Sequence, residues 1–112
     1  MYEILIVGGG PAGLTAAIYA ARAGKHVAVL ERGSTGGQII SAPLVENYPG
    51  IPSVSGTELA RQMTEQACTF GAEIVYTEAV GLEKTPAGLR VLCTDGVREA
   101  KTVILATGAA HR

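Results

Sequence analysis

The stretch EILIVGGGPAG, residues 3–13, decides the fold. Its continuous apolar run, Ile4 to Val7, is typical of a strand that is buried on both faces of a parallel sheet. Gly8 to Gly10 follow as a turn. Pro11 then stands where a helix would begin and where its missing N–H costs nothing. The stretch therefore predicts a strand, a tight turn and a helix in succession.

A second strand completes the unit that this stretch begins. The helix is predicted to reach about Ala23, with Gly24 as its C-cap, because apolar residues recur at helical spacing. These residues are Leu14, Ala17, Ile18 and Ala21. The apolar run His26–Leu30 is predicted to be the next strand. A strand, a helix and a strand within about thirty residues form a right-handed βαβ unit with parallel strands.

Beyond the βαβ unit the chain has a long loop, a second helix and a third strand. The helix is predicted to begin at Ser55 or Thr57 and to end near Phe70, before Gly71. Its core positions are predicted at Leu59, Met63 and Ala67. The third strand is predicted over Ala72–Tyr76. The order of these elements favours an α/β fold with a parallel sheet.

In the last third of the chain, short apolar segments separated by turn signals predict a small antiparallel β-meander. Short strands are expected over Ala79–Lys84, Leu89–Thr94 and Val97–Lys101, with Asp95-Gly96 as a hairpin signal. A separate last strand is expected over Thr102–Ala106. The sequence therefore predicts a Rossmann-like α/β fold, with a parallel sheet and an added meander.

Composition excludes several classes of function. The 112 residues are 47% hydrophobic and 17% charged, with a net charge of −1, so nucleic acid is not an expected partner. No apolar run is long enough to span a membrane, and no signal peptide is visible, so a cytoplasmic location is expected. Cys68 and Cys93 form neither a C-x-x-C nor a metal spacing, so no metal is expected. Both thiols are predicted to be buried or half-buried.

The first functional motif is the glycine pattern Gly8-x-Gly10-x-x-Gly13, between a predicted strand and a predicted helix. In this context Gly8 allows the tight turn, and Gly10 lets a pyrophosphate approach bare backbone. Gly13 and Ala17 allow the helix and the strand to pack closely. The helix N-terminus would supply free N–H groups and the positive end of its dipole. The alternative is a glycine-rich turn that binds no ligand.

The second motif is Glu31, 18 residues beyond Gly13 at the end of the second strand. A carboxylate at this position accepts hydrogen bonds from ribose hydroxyls and disfavours a 2′-phosphate. Arg32 is included among the cofactor-binding candidates because a guanidinium binds that phosphate. The alternative for Glu31 is a solvated strand-end acid. These two motifs predict an ADP-containing dinucleotide and leave open whether it is NAD or FAD.

The loop over residues 36–50, GGQIISAPLVENYPG, bears on that choice. Irregular loops of more than about 12–15 residues are usually functional or disordered, and a disordered one should be polar. This loop is apolar, and Glu46 is its single charge. It follows the ribose acid, so it would run beside the second half of a dinucleotide, where apolar and amide groups suit an isoalloxazine ring. The alternative is a surface Ω-loop.

These segments together resemble the N-terminal part of the low-molecular-weight thioredoxin reductases, which are FAD-containing pyridine nucleotide-disulfide oxidoreductases. The matching segments are VGGGPAGLTAAIYAAR, LER, GGQ, ENYPG, QACTFGAEI and ILATGAAHR. Close relatives include the flavoprotein subunit of alkyl hydroperoxide reductase and ferredoxin–NADP reductases of the same type. ENYPG favours thioredoxin reductase among them. The implied fold is a three-layer, Rossmann-like FAD/NAD(P)-binding fold, in which the meander lies across the core.

The resemblance implies FAD-binding residues at five places in the chain. The pyrophosphate would be held by Gly8, Gly10, Pro11, Ala12 and Gly13, and the ribose by Glu31. The flavin ring and ribityl chain would be lined by Gly37, Gln38 and Asn47. The adenine would meet the backbone of Ala79 and Val80. The cofactor would be closed over by Ala106, Thr107 and Gly108. No catalytic residue is expected in this chain; His111 would lie near the cofactor without a catalytic role.

The resemblance also implies an activity for a longer parent chain, in which electrons pass from NADPH through FAD to a disulfide. An NADPH-binding domain with a redox-active C-x-x-C, and a C-terminal FAD segment, are not found in residues 1–112. The chain is therefore expected to be the first segment of the FAD-binding domain and not to turn over alone. Thioredoxin would be the partner of the parent enzyme, and a homodimer is possible. The alternatives are a stand-alone, non-catalytic dinucleotide-binding module or a related reductase with a peroxiredoxin, a ferredoxin or a small dithiol as its acceptor.

Overall fold

The computed structural model describes residues 1–108, which form two α-helices and one six-stranded sheet. The elements in chain order are β1 (Tyr2–Val7), α1 (Pro11–Arg22), β2 (Val27–Glu31), a 3-10 helix (Gly37–Ser41), α2 (Gly56–Thr69), β3 (Glu73–Tyr76), β4 (Ala79–Thr85), β5 (Gly88–Cys93) and β6 (Gly96–Leu105). The strand order across the sheet is β3-β2-β1-β6-β5-β4. The pairs among β3, β2, β1 and β6 are parallel, whereas β4, β5 and β6 pair antiparallel.

The predicted βαβ unit is present. β1 and β2 pair in parallel, with Ile4 opposite Val27, and α1 connects them. Pro11 lies in the first turn of α1, and Gly24 follows the helix with a φ of +79°, a left-handed conformation that glycine adopts without strain. The second strand begins one residue later than predicted and includes Glu31. The ribose candidate therefore ends a buried strand.

Two clusters of buried side chains divide the structure into three layers. On one face of the parallel strands, Ile6 and Val29 pack with Leu14 of α1 and with Leu59 and Met63 of α2. Side chains alternate along a strand, so Leu5, Ala28 and Leu30 face the other way. There they pack with Val91 and Ala100 of the meander strands. The helices, the parallel sheet and the meander are thus the three layers, and the predicted fold class is confirmed.

One strand forms both the meander and the parallel sheet, which corrects the prediction of two strands over Val97–Lys101 and Thr102–Ala106. β6 runs without interruption from Gly96 to Leu105. Ala100 pairs with Leu89 antiparallel on one side and with Tyr2 in parallel on the other. Lys101 and Thr102 are exposed, and this polar pair interrupts the apolar pattern without interrupting the backbone ladder.

The loop after β2 contains more regular structure than its sequence indicates. A 3-10 helix spans Gly37–Ser41, and two isolated antiparallel bridges join Val45 to Val54 and Tyr48 to Ile51. Short 3-10 helices have no sequence period long enough to detect. Four apolar side chains of the loop pack on the core cluster of the helices; they are Ile39, Val45, Ile51 and Val54. Three others are exposed, namely Ile40, Leu44 and Tyr48. Packing therefore explains only part of the apolar character of the loop.

The loop also approaches α2 through backbone. A Cβ atom added to Gly56 would lie 1.6 Å from the carbonyl oxygen of Ile39, and one added to Gly36 would lie 2.4 Å from Cβ of Ala60. The helix itself begins at Ser55, whose hydroxyl accepts a hydrogen bond from the N–H of Glu58 at 3.1 Å. The loop and the first turns of α2 therefore form one packed unit.

Two further expectations have different outcomes. Cys93 is half-buried as predicted, but Cys68 is exposed near the end of α2, so the expectation of burial was wrong for Cys68. The predicted core positions of this helix, Leu59, Met63 and Ala67, are all buried.

Neither of the α-helices within residues 1–108 is long and apolar enough to cross a membrane.

Candidate dinucleotide site

The glycine turn between β1 and α1 is shaped by close packing at both of its ends. Gly8 has a φ of +113°, and a Cβ atom there would lie 2.1 Å from the carbonyl oxygen of Ala106. A Cβ atom on Gly13 would lie 1.9 Å from the carbonyl oxygen of Gly8. Only glycine fits at these two positions. The backbone after β6 consequently lies directly on the turn, at the carboxyl ends of the parallel strands.

Gly10 differs from Gly8 and Gly13 because no close contact among the described residues requires a glycine at this position. Its φ is −78°, and an added Cβ atom would meet only Cα of Gly37, at 3.8 Å. Gly10 is the N-cap of α1, and no side chain within the described part of the chain caps this helix. Pro11 and Ala12 form the start of the helix, and Ala12 is exposed. The uncapped helix start, with its N–H groups and dipole, fits an anion such as a pyrophosphate.

The carboxylate of Glu31 is held by two backbone amides. The N–H of Gly9 donates to Oε1 at 2.8 Å, and the N–H of Gly33 donates to Oε2 at 2.7 Å. Sequence reasoning missed both bonds, because nothing in the chain marks Gly9 as a partner of a residue 22 positions away. Each carboxylate oxygen accepts more than one hydrogen bond, so ribose hydroxyls can bind the same group.

An open cavity lies at the carboxyl ends of the parallel strands, where ligands bind in open α/β sheets. It is lined by Val7, Gly8, Leu30, Glu31, Arg32, Thr77, Glu78, Ala79, Thr107 and Gly108. Six of these residues are sequence-predicted cofactor residues: Gly8, Glu31, Arg32, Ala79, Thr107 and Gly108. The structure therefore brings predicted residues from four separate segments to one place.

The connection from β3 to β4 forms one wall of this cavity, and sequence analysis did not identify it as such. The N–H of Thr77 donates to the carbonyl oxygen of Glu31 at 3.0 Å, and the N–H of Thr94 donates to that of Glu78 at 2.9 Å. These bonds join residues that are distant in sequence, so no local pattern reveals them. The first bond fixes the wall against the end of β2, and the second fixes it against the end of β5.

A polar cluster supports this wall from the meander side. The buried hydroxyl of Thr77 donates to Oδ1 of Asp95 at 2.6 Å, and the guanidinium of Arg98 donates to both oxygens of the same carboxylate. The bonds from Arg98, and then from Thr77, hold the pKa of Asp95 well below its usual range. The Asp-Gly pair identified Asp95 as a turn residue, but no sequence pattern indicated that Thr77 and Arg98 would bind its carboxylate.

The start of the long loop lies beside the glycine turn. The N–H of Gly36 donates to the carbonyl oxygen of Gly9 at 2.7 Å, and a Cβ atom on Gly37 would lie 3.2 Å from Cα of Gly10. The carbonyl oxygen of Gln38 accepts a hydrogen bond from the hydroxyl of Ser41 at 2.8 Å. The start of the GGQ segment thus lies directly beside the glycine turn.

The remaining candidates lie around these two parts of the site. Ala106 follows β6 and donates its N–H to the carbonyl oxygen of Val7 at 2.8 Å. Asn47 is exposed in the middle of the loop, and the side chain of Val80 is exposed on β4; neither lines the cavity formed by the described residues. Their cofactor roles, like those of the other site residues, stay predictions. His111 lies outside the described residues.

Comparison with known proteins gives the class to which this fold and site correspond. The family described as pyridine nucleotide-disulphide oxidoreductase matches residues 2–112. The chain belongs to this family. A match over nearly the whole chain includes the glycine turn, Glu31, the GGQ segment and the end of β6, the parts that form the cavity and its surroundings.

Within this family the chain is similar to thioredoxin reductases, and the predicted resemblance is confirmed. The thioredoxin reductase of Treponema pallidum is 44% identical over 112 residues, which cover 99% of this chain and 36% of that protein. The crystal structure of thioredoxin reductase from Streptococcus pyogenes is 47% identical, with a TM-score of 0.95, and the match covers 100% of this chain and 37% of that one.

A ferredoxin-flavin thioredoxin reductase from Clostridium acetobutylicum is also similar. Its crystal structure is 31% identical, with a TM-score of 0.90, over 99% of this chain and 39% of that one. The chain therefore spans a little over a third of the length of each relative described here.

Proposed function

We propose that the chain is the first segment of the FAD-binding domain of a thioredoxin-reductase-like enzyme, in which electrons pass from NADPH through FAD to a disulfide. The observation that carries the proposal is the joint placement of the uncapped start of α1, Glu31 and the GGQ segment around one glycine turn. The similarity to thioredoxin reductases supports the same assignment.

The residues present fit the ADP part of FAD. The amides at the start of α1 would hold the pyrophosphate, because Gly10 leaves open space there. Glu31 would accept from the adenosine ribose, and the backbone of Ala79 and Val80 would meet the adenine. FAD, when bound, supplies transfer of electrons between a nicotinamide and a disulfide.

The GGQ segment and Asn47 are proposed to line the flavin and the ribityl chain, and Ala106, Thr107 and Gly108 to close over the cofactor. The packing of the loop on α2 would hold the segment in place before the flavin binds. Thioredoxin as the acceptor, a homodimer and a cytoplasmic location are proposed for the whole enzyme from its relatives. Ferredoxin as electron source is a second candidate, which the Clostridium acetobutylicum relative favours.

Binding of ADP to the 112-residue chain tests the site, because all residues proposed for the ADP part lie within it. We expect ADP to raise the midpoint of thermal unfolding of the wild-type chain, and Gly10→Val to abolish the effect, because a side chain would fill the space of the pyrophosphate. An ADP-independent midpoint in the folded wild-type chain would contradict the proposal.

The visible spectrum after incubation with FAD and desalting tests the flavin part separately. A retained flavin band is expected, and it should disappear in Gly10→Val. A chain that responds to ADP but loses the flavin band would show that the GGQ segment and Asn47 do not hold the flavin without further contacts.

A further inference from the structure

One ion pair at the cavity joins two segments that are distant in sequence. Arg32, directly after β2, places its Nη1 3.6 Å from Oε2 of Glu78 in the connection from β3 to β4. Both residues line the cavity together with Glu31. The pair is therefore beside the carboxylate that the proposed function assigns to the adenosine ribose.

The backbone fixes Glu78 in this place. Thr77, the residue directly before Glu78, donates its N–H to the carbonyl oxygen of Glu31 at 3.0 Å. The carbonyl oxygen of Glu78 itself accepts from the N–H of Thr94 at 2.9 Å. The side chain of Thr77 is buried and bonded to Asp95. Glu78 is thus held at the end of β2, within reach of Arg32.

The charges at this rim bear on which adenosine nucleotide the cavity would bind. An arginine near the ribose acid is the residue that accommodates a 2′-phosphate in dinucleotide-binding folds. Here the guanidinium of Arg32 is already paired, and Glu31 and Glu78 leave the three side chains with one net negative charge. A phosphate monoester brings about −1.5 to −2 charges at neutral pH, so it would be repelled.

We propose that Glu78 is a specificity-determining residue, which makes the pocket select an adenosine with a free 2′-hydroxyl by occupying Arg32. The inference rests on the proposed function, because it requires an adenosine nucleotide in this cavity. Without Glu78, Arg32 would be released and the charges of Arg32 and Glu31 would cancel. The pocket would then bind a 2′-phosphate more tightly than it does now.

The test compares ADP-ribose with 2′-phospho-ADP-ribose, two probes that differ only at the 2′ position. Dissociation constants are measured by calorimetry at low salt with the full chain. The wild type is expected to prefer ADP-ribose. Glu78→Gln is expected to tighten binding of the phosphorylated probe by roughly three- to tenfold, since the charges involved are partly exposed and screened. Binding of ADP-ribose should change by less than about twofold.

Two further variants show where a gain comes from. Glu83→Gln removes the same charge from an exposed pair with Arg90, 3.5 Å apart on the meander and outside the cavity lining, and should leave the preference unchanged. The double variant Glu78→Gln/Arg32→Ala should lose the gain, because it depends on a released guanidinium.

The outcomes separate this inference from the proposed function. An unchanged preference in Glu78→Gln, a gain that survives in the double variant, or a wild type that binds both probes equally would overturn the role of Glu78, while ADP binding would still support the site. A wild-type chain that binds neither ADP nor ADP-ribose would overturn the proposed function, and this inference with it.

Discussion

Glu31 and Gly9 are joined by a hydrogen bond of 2.8 Å between the carboxylate Oε1 and the backbone nitrogen. The bond ties the end of β2 to the glycine turn that precedes α1. The same carboxylate is proposed to bind the adenosine ribose. One side chain would thus order the turn and contact the ligand, and its replacement should affect both stability and affinity.

Glu31→Gln is expected to lower the free energy of unfolding by about 1–3 kcal/mol, because the amide NH₂ cannot accept from a backbone N–H and leaves one donor unpaired. Urea unfolding measures this loss, with Glu46→Gln, an exposed acid of the loop, as the control. The affinity for ADP should fall about tenfold, the equivalent of one such bond. Equal unfolding midpoints for Glu31→Gln and wild type would show that the backbone bond lost in the variant contributes nothing to stability.

Gly8→Ala should be far more harmful than Gly71→Ala, although the two glycines have similar φ angles of +113° and +108°. At Gly71 an added Cβ atom meets no atom within 4 Å, so only the left-handed backbone is penalised, by about 1–2 kcal/mol. At Gly8 the Cβ atom would collide with the carbonyl of Ala106, and the total loss should reach about 3 kcal/mol or more. Chemical unfolding of both variants checks the difference, and equal losses would contradict the close approach of the chain after β6.

Gly10→Ala should separate folding from binding. The backbone at Gly10 has a negative φ and the space beside it is open, so stability should fall by only about 0.5–1 kcal/mol, the cost of alanine at an N-cap. The affinity for ADP should fall at least tenfold, because the methyl group occupies the path of the pyrophosphate. Retained affinity in a calorimetric titration would exclude Gly10 from the binding site.

Asp95→Asn should destabilise the chain in a pH-dependent way. The folded pKa of Asp95 is depressed by Arg98 and Thr77, so the carboxylate contributes stability above its unfolded pKa, about 3.9, and loses it as the pH falls through the lower folded value. The gap in thermal midpoint between wild type and Asp95→Asn should be constant above about pH 5 and should shrink toward pH 2. A gap in thermal midpoint that stays the same across this pH range would show that ionisation of Asp95 does not stabilise the fold.

Gly56→Ala tests the contact between the loop and α2. The new Cβ atom would lie 1.6 Å from the carbonyl oxygen of Ile39, so the 3-10 helix must move away from α2. We expect a loss of about 2 kcal/mol or more in stability and weaker retention of FAD, measured by unfolding and by the visible spectrum. Gly50→Ala, at a loop position with open space, carries the strain of a φ of +92° but no collision with α2, and it should retain FAD as wild type does. Full retention by Gly56→Ala would show that the loop position does not matter for the flavin.

Sequence patterns predicted those parts of the fold that depend on burial along one element. β1 and β2 lie in the middle of the sheet, so their apolar runs were unambiguous, and the helices have clear stops at Gly24 and Gly71. The continuity of β6 was missed because its backbone ladder continues through Lys101 and Thr102, which do not contribute to the apolar pattern.

The parts of the candidate site that depend on local motifs could likewise be predicted from the sequence. The glycine pattern, Glu31 and the GGQ segment follow from local motifs, and the structure places them together. The contribution of Thr77 and Glu78 could not be foreseen, because each is fixed by backbone bonds to residues far away in the chain, Glu31 and Thr94. A motif identifies the residues of one turn, whereas a cavity wall depends on how separate elements meet.

The position of β6 between β1 and β5 has a consequence for the order in which the chain folds. β1 meets β2 across about 23 residues, with Ile4 opposite Val27, but it meets β6 across about a hundred, with Tyr2 opposite Ala100. Closing the longer loop costs more entropy and slows the step that depends on it. The βαβ unit and the local β4–β5–β6 hairpins should form first and then dock along β1. The cavity would appear only in that last, rate-limiting event. Its glycine turn belongs to the βαβ unit, whereas the residues that cover the turn follow β6 of the hairpins.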